Sequence, residues 1–138
     1  MPKIVFLAAT LAATLAPVAA RSATPEELMR GYAQQARREA QSYSGPSASA
    51  GRRFFTTKHG DWSCSDCHTS NPGASGRHTV TGKAIAPLAP AANAERFRDP
   101  ARVEKWFKRN CNDTVARACT AAEKADVLAY LISVRPGA

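Results

Sequence analysis

The sequence predicts an all-α domain, and three observations predict it. Thr24-x-x-Glu27 and Thr120-x-x-Glu123 are capping boxes, each at the head of an apolar repeat with helical spacing. Asp99-Pro100 adds a third start signal, a cap followed by proline at the first helical position. No stretch alternates apolar and polar residues in the manner of a strand.

The first twenty of the 138 residues stand apart from that domain. "MPKIVFLAATLAATLAPVAA" has one lysine, an apolar run from Ile4 and a small-residue end at Val18-Ala19-Ala20, the layout of a cleaved signal peptide. Pro17 breaks the run before it reaches the roughly 20 apolar residues that span a bilayer. The expected organisation is a signal peptide over 1–20, an N-terminal helix and linker over 21–50, and a main domain over 51–138. Export implies a periplasmic location and an oxidising compartment, in which cysteines usually pair.

Lys and Arg total 19 against 11 Asp and Glu, a net charge of +8, or +7 once Lys3 leaves with the signal. The positive charges are scattered, and an exported protein rarely meets DNA, so nucleic acid is excluded as a partner. The charge suits encounter with an acidic protein or an anionic ligand, and equally plain solubility.

Beyond the signal, Pro25 to Tyr43 is predicted as a helix, with Leu28, Tyr32, Ala36 and Ala40 at helical spacing. "SGPSASAG" interrupts it. A shorter helix is expected over Ser49–Lys58, leading into "DWSCSDCHTS". Residues 69–98 are rich in Gly, Pro, Ala and Thr without periodicity and read as one long ordered loop, with Ile85, Leu88 and Phe97 spaced as if lining something. From Asp99 to Asn110 a helix resumes, with Val103, Trp106 and Phe107 on one face. The last helix carries Leu128, Leu131 and Ile132 inward and stops at Pro136-Gly137.

"CSDCH" admits three readings. A thioredoxin-like dithiol needs a βαβ context, and no strands are predicted. Zinc needs four ligands, and the second pair of cysteines, Cys111 and Cys119, is spaced too widely for it. Cys-x-x-Cys-His is the attachment signature of c-type haem. Cys64 and Cys67 would each add a thiol across one haem vinyl group, and His68 would ligate the iron. A bound haem also supplies apolar surface to a small core. Gly51 with Phe54 or Phe55 would then cross the last helix at Tyr130-Leu131. That crossing resembles the terminal-helix contact of class I cytochromes c, with the helix at 25–43 as an extra element in front.

In the same compartment, Cys111 and Cys119 read as a disulfide. The second iron ligand is less obvious. Electron-transfer cytochromes commonly use methionine, but only Met1 and Met29 occur, both before His68. The remaining candidates are His59, His78, Asn110, Asn112, a lysine, or none. His59 is too close to the motif to reach the opposite face. His78 would give a low-spin bis-histidine electron carrier. Asparagine would be a weak oxygen donor that a diatomic gas displaces.

From Arg52 onward, and most specifically at "KWFKRNCND" with its flanking cysteines, the chain resembles the sphaeroides haem protein family, a high-spin branch of class I cytochromes c. The resemblance implies that Asn110 ligates ferric iron and leaves on reduction, admitting oxygen or nitric oxide. It also implies electron supply from a dihaem cytochrome c and a membrane cytochrome b. The disulfide would stiffen a loop carrying this weak ligand. Nitric oxide oxidation or peroxide reduction is an open enzymatic hypothesis, with His78 or Arg77 as the only visible distal acid-base candidates.

Overall fold

The computed structural model describes residues 22–135; the signal-peptide reading, Met1 and the Pro136-Gly137 stop lie outside them. Five helices and one minimal hairpin run in the order α1 (Pro25–Glu39), α2 (Ala48–Thr56), α3 (Cys64–His68), β1 (Gly76–Arg77), β2 (Ala84–Ile85), α4 (Pro100–Val115) and α5 (Ala121–Ser133). Both Thr/Glu capping boxes form as the sequence predicts, and Asp99 caps α4 by accepting from the Arg102 N–H.

α5 is the central element, and α1 and α2 both pack against it. Small buried residues, Ala33 and Ala36 on α1 and Ala121 and Ala125 on α5, permit close approach of helix to helix. At the α2 crossing Gly51 is obligatory. A methyl group there would overlap the Asp126 carbonyl and come within 2.9 Å of the Val127 nitrogen. One turn further, Phe55, only 1% exposed, meets Tyr130 edge to face at 5.5 Å. These two join Val127 and Leu131 in the main core cluster. The predicted crossing of the terminal helix is therefore present.

Several boundaries differ from expectation. α1 ends at Glu39, and Tyr43 leaves the helical path to donate its hydroxyl to Asp126, which also accepts from the Ser47 N–H. The long loop contains an antiparallel pair, Gly76 with Ile85 and Arg77 with Ala84, too short to leave a periodic pattern. Trp106 is 48% exposed, not part of the inward face. α4 continues past Asn110 through Cys111 and stops at Ala116 in a left-handed conformation. Asn110 thus sits on a helix rather than in a loop. The Cys111–Cys119 disulfide ties that helix to the segment capping α5.

α4 makes no extensive backbone approach to any other element. Among the described residues no helix is long and apolar enough to cross a membrane.

Candidate functional site

The motif is a single helical turn with its own start signal. Ser63 is buried and accepts from the Asp66 N–H, while Asp66 accepts from the Ser63 N–H at 2.7 Å, a reciprocal cap inside "SCSDC". These hydrogen bonds from Ser63 hold the exposed Asp66 carboxyl below its ordinary range. Of the two variable positions of the motif, Asp66 thus completes the cap, while the Ser65 hydroxyl lies 2.8 Å from that of Ser63. On such a turn residues three and four apart share a face, which brings together Cys64, Cys67 and His68. Thr69 then takes a positive φ of 62°, ending the helix.

The hairpin braces this turn from behind. A Cβ at Gly76 would overlap the Cys67 carbonyl oxygen and lie 3.0 Å from the His68 Cα, so no side chain fits. Thr79 places its hydroxyl 3.6 Å from the Cys67 sulfur. His78 stands in the same hairpin, where its Nδ1 accepts from the Val80 and Thr81 N–H groups. Arg77 donates to the Gly82 carbonyl at 2.7 Å. His59 is held elsewhere, its Nε2 3.0 Å from the Phe54 carbonyl oxygen and its ring against Phe54.

α4 flanks the motif on another side. Thr114 lies close enough to Cys64 to influence its thiol, and its hydroxyl donates to the Asn110 carbonyl one turn earlier. Asn110 is half-buried and shares that face with Val103 and Thr114. Asn112 is exposed and lines a shallow surface cleft with Lys105, Lys108 and Arg109.

Arg96 was not anticipated. It donates to the Ala86 and Pro87 carbonyls at 2.7 and 2.8 Å, pinning the Pro-rich loop beside His68, whose charge state it also influences. Nothing in its sequence context distinguishes it from the other scattered arginines. Phe97 adopts φ 60°, a conformation bulky residues rarely take, and packs against the core cluster.

These residues fit a covalently held haem. Cys64 and Cys67 are both unpaired thiols in a chain whose other two cysteines are bridged. Burial pushes the Cys64 thiol up to about 11, so it stands as a protonated thiol, the form whose S–H adds across a vinyl group. Burial, then the charges of Arg96 and His78, lowers His68 to about 4 and keeps its imidazole neutral, the ligating form. Phe54, Leu88, Phe97 and Phe107, all only partly buried, leave apolar surface against the core that a porphyrin would cover. Among the described residues no cluster of His, Cys, Asp or Glu is arranged to hold a bare metal ion.

Known proteins agree with that fit. Cytochrome c-type protein SHP of Cereibacter sphaeroides is 42% identical over 136 residues, covering 95% of this chain and 98% of its own. The crystal structure of oxidized cytochrome c'' from Methylophilus methylotrophus superposes with a TM-score of 0.74 at 39% identity, over 80% of this chain and 94% of that one. The structure of oxidized SHP, described as an oxygen-binding cytochrome c, gives 0.71 at 43% identity, over 80% and 96%.

The chain is thus a monohaem c-type cytochrome on a class I cytochrome-like fold, with one covalently attached haem c. Residues 41–131 match the family described as "Domain of unknown function (DUF1924)". The chain belongs to that family, which is the family of sphaeroides haem protein and cytochrome c''.

Proposed function

We propose that this chain is an exported, high-spin cytochrome that binds oxygen or nitric oxide after reduction, with Cys64 and Cys67 attaching the haem, His68 as permanent iron ligand and Asn110 as labile distal ligand. The haem supplies a redox-active iron with a coordination position for a small molecule. The protein's part is to hold one side firmly and the other loosely. His68 is fixed by the capped turn of α3 and by Gly76 behind it. Asn110 would offer a neutral amide oxygen, a poor donor that can yield to a gas.

One observation carries the choice of Asn110. It is half-buried and stands one turn before Thr114, which lies close enough to Cys64 to influence its thiol, whereas Asn112 is exposed on the outer face of α4 among Lys105, Lys108 and Arg109. His78 is a poorer candidate. Its hairpin rests on the backbone of Cys67 and His68, and reaching the opposite side of a haem would strip that brace away. Arg77 and His78 are also engaged within the hairpin, so these residues favour gas binding over acid-base turnover.

A gas ligand is supported by the oxygen-binding description of the relative SHP. The net charge of +7 that remains without Lys3 and the Cys111–Cys119 disulfide fit an exported protein that takes electrons from an acidic partner cytochrome. The test is to compare Asn110→Ala with Asn112→Ala in haem-loaded ferric protein. Asn110→Ala should alter the ferric spectrum and tighten imidazole binding, while Asn112→Ala should change neither. The reverse pattern, or no effect of either, would remove Asn110 from the site.

A further inference from the structure

α4 carries Asn110, and because its backbone makes no extensive approach to another helix, side chains hold it in place. Its mid-helix attachment is a compact group drawn from three helices. Lys124 of α5 donates to Glu104 of α4 at 2.6 Å, and Tyr32 of α1 donates its hydroxyl to the same carboxylate at 2.8 Å. The Lys124 ammonium also lies 5.2 Å from the Tyr32 ring centre and 6.0 Å from that of Phe107. Tyr32 and Phe107 meet edge to face at 5.8 Å. The Lys124 side chain is only 13% exposed, so these partners, rather than water, surround it.

The positions on α4 matter. Glu104, Phe107 and Cys111 are spaced i, i+3, i+7 and form one stripe along the helix. Phe107 and Glu104 are held by this group, and Cys111 by the disulfide to Cys119. A helix fastened at three points on one stripe can neither roll nor slide freely. Asn110 precedes Cys111 by one residue and follows Phe107 by three, about 60° round the helix from Phe107 at 100° per residue. Its direction is therefore set by where that stripe is fastened.

We propose that Tyr32, Glu104 and Lys124 are positioning residues that hold α4 at the azimuth from which Asn110 meets the iron, which gives the N-terminal helix α1 a role in ligand affinity. The inference rests on the reading of Asn110 as distal ligand. Loosening the group lets α4 roll and weakens the asparagine's hold, so an external ligand competes better. Remote contacts of this kind tune a second site roughly two- to thirtyfold.

The experiment uses haem-loaded full-length protein, with imidazole as the probe of the ferric state and the optical spectrum as a second readout. Tyr32→Phe and Lys124→Met should each raise imidazole affinity within that range and shift the high-spin bands. Lys124→Arg, which keeps the charge and the ion pair, should restore the original values. Combining Tyr32→Phe with Asn110→Ala should give no further gain over Asn110→Ala alone. The proposal is overturned if Tyr32→Phe and Lys124→Met lower the melting temperature but leave spectrum and imidazole affinity unchanged while Asn110→Ala alters both. If Asn110→Ala itself changes nothing, the distal assignment has failed, and the inference falls with it.

Discussion

Gly51 and Asp126 meet backbone to backbone where α2 crosses α5, with no room for even one methyl group between them. This contact sets the distance at which Phe55 reaches Tyr130, and α2 leads directly into the haem motif. Gly51→Ala must push the helices apart or distort them. Overpacking of a close core contact costs about 1–3 kcal/mol, and the gain in helix propensity from Ala offsets about 1 kcal/mol at most. Thermal unfolding of haem-loaded protein should show a melting temperature lowered by several degrees. An unchanged value would mean that the crossing is not as tight as described.

Ser63→Ala should weaken the start of the attachment turn. Its hydroxyl caps the Asp66 N–H, and losing such a cap costs about 1 kcal/mol. Denaturant midpoints should fall accordingly, whereas Ser65→Ala, which leaves that cap in place, should cost less. Equal effects of the two would deny the cap its role.

Removing the Cys111–Cys119 bridge, as in Cys111→Ala/Cys119→Ala, should cost roughly 2 to 3 kcal/mol on the loop-entropy view of so short a loop. Chemical denaturation measures it, and haem attachment through Cys64 and Cys67 should survive. Loss of attachment would show that the bridge does more than fasten α4 to α5.

Acid should unfold the protein partly through Glu104 and Glu123. Burial alone would raise both carboxyls. At Glu104 hydrogen bonds from Lys124 and Tyr32 and the Lys124 charge outweigh it, and at Glu123 hydrogen bonds from Arg117 and Thr120 and the Arg117 charge do so. Both therefore lie below the ordinary 4.5 when folded. Their stabilisation is complete above the unfolded value and disappears as pH falls through the folded one. Because His68 is kept neutral when folded but protonates below its ordinary 6.5 when unfolded, urea midpoints should decline gently from about pH 6.5 and more steeply below about 5, where the two carboxyls protonate. Glu104→Gln and Glu123→Gln should each flatten the decline, and an acid limb identical to the parent would contradict this account.

The helices were legible because their signals are local: capping boxes at Thr24 and Thr120, and proline after Asp99. The crossing of α2 over α5 could be anticipated because a glycine beside paired phenylalanines, before an attachment motif, suggests close approach. The hairpin at Gly76–Ile85 was not, since two residues per strand leave no period to detect. α4 is longer than its sequence suggests because asparagines at 110 and 112 favour helix ends, and tertiary anchors at Phe107 and Cys111 override that preference. The Cys64-x-x-Cys67-His68 spacing is a local pattern and so can be read directly from the sequence. Arg96 and the Tyr32–Glu104–Lys124 group join residues far apart in sequence and leave no pattern to read.

The most direct measurement of the central claim is the optical spectrum of the purified haem-loaded protein, first ferric, then reduced and exposed to oxygen and to nitric oxide. A weak asparagine opposite His68 predicts a high-spin ferric spectrum and binding of added gas once the iron is reduced. A low-spin spectrum in both states, indifferent to either gas, would contradict it and return His78 to consideration as a second strong ligand.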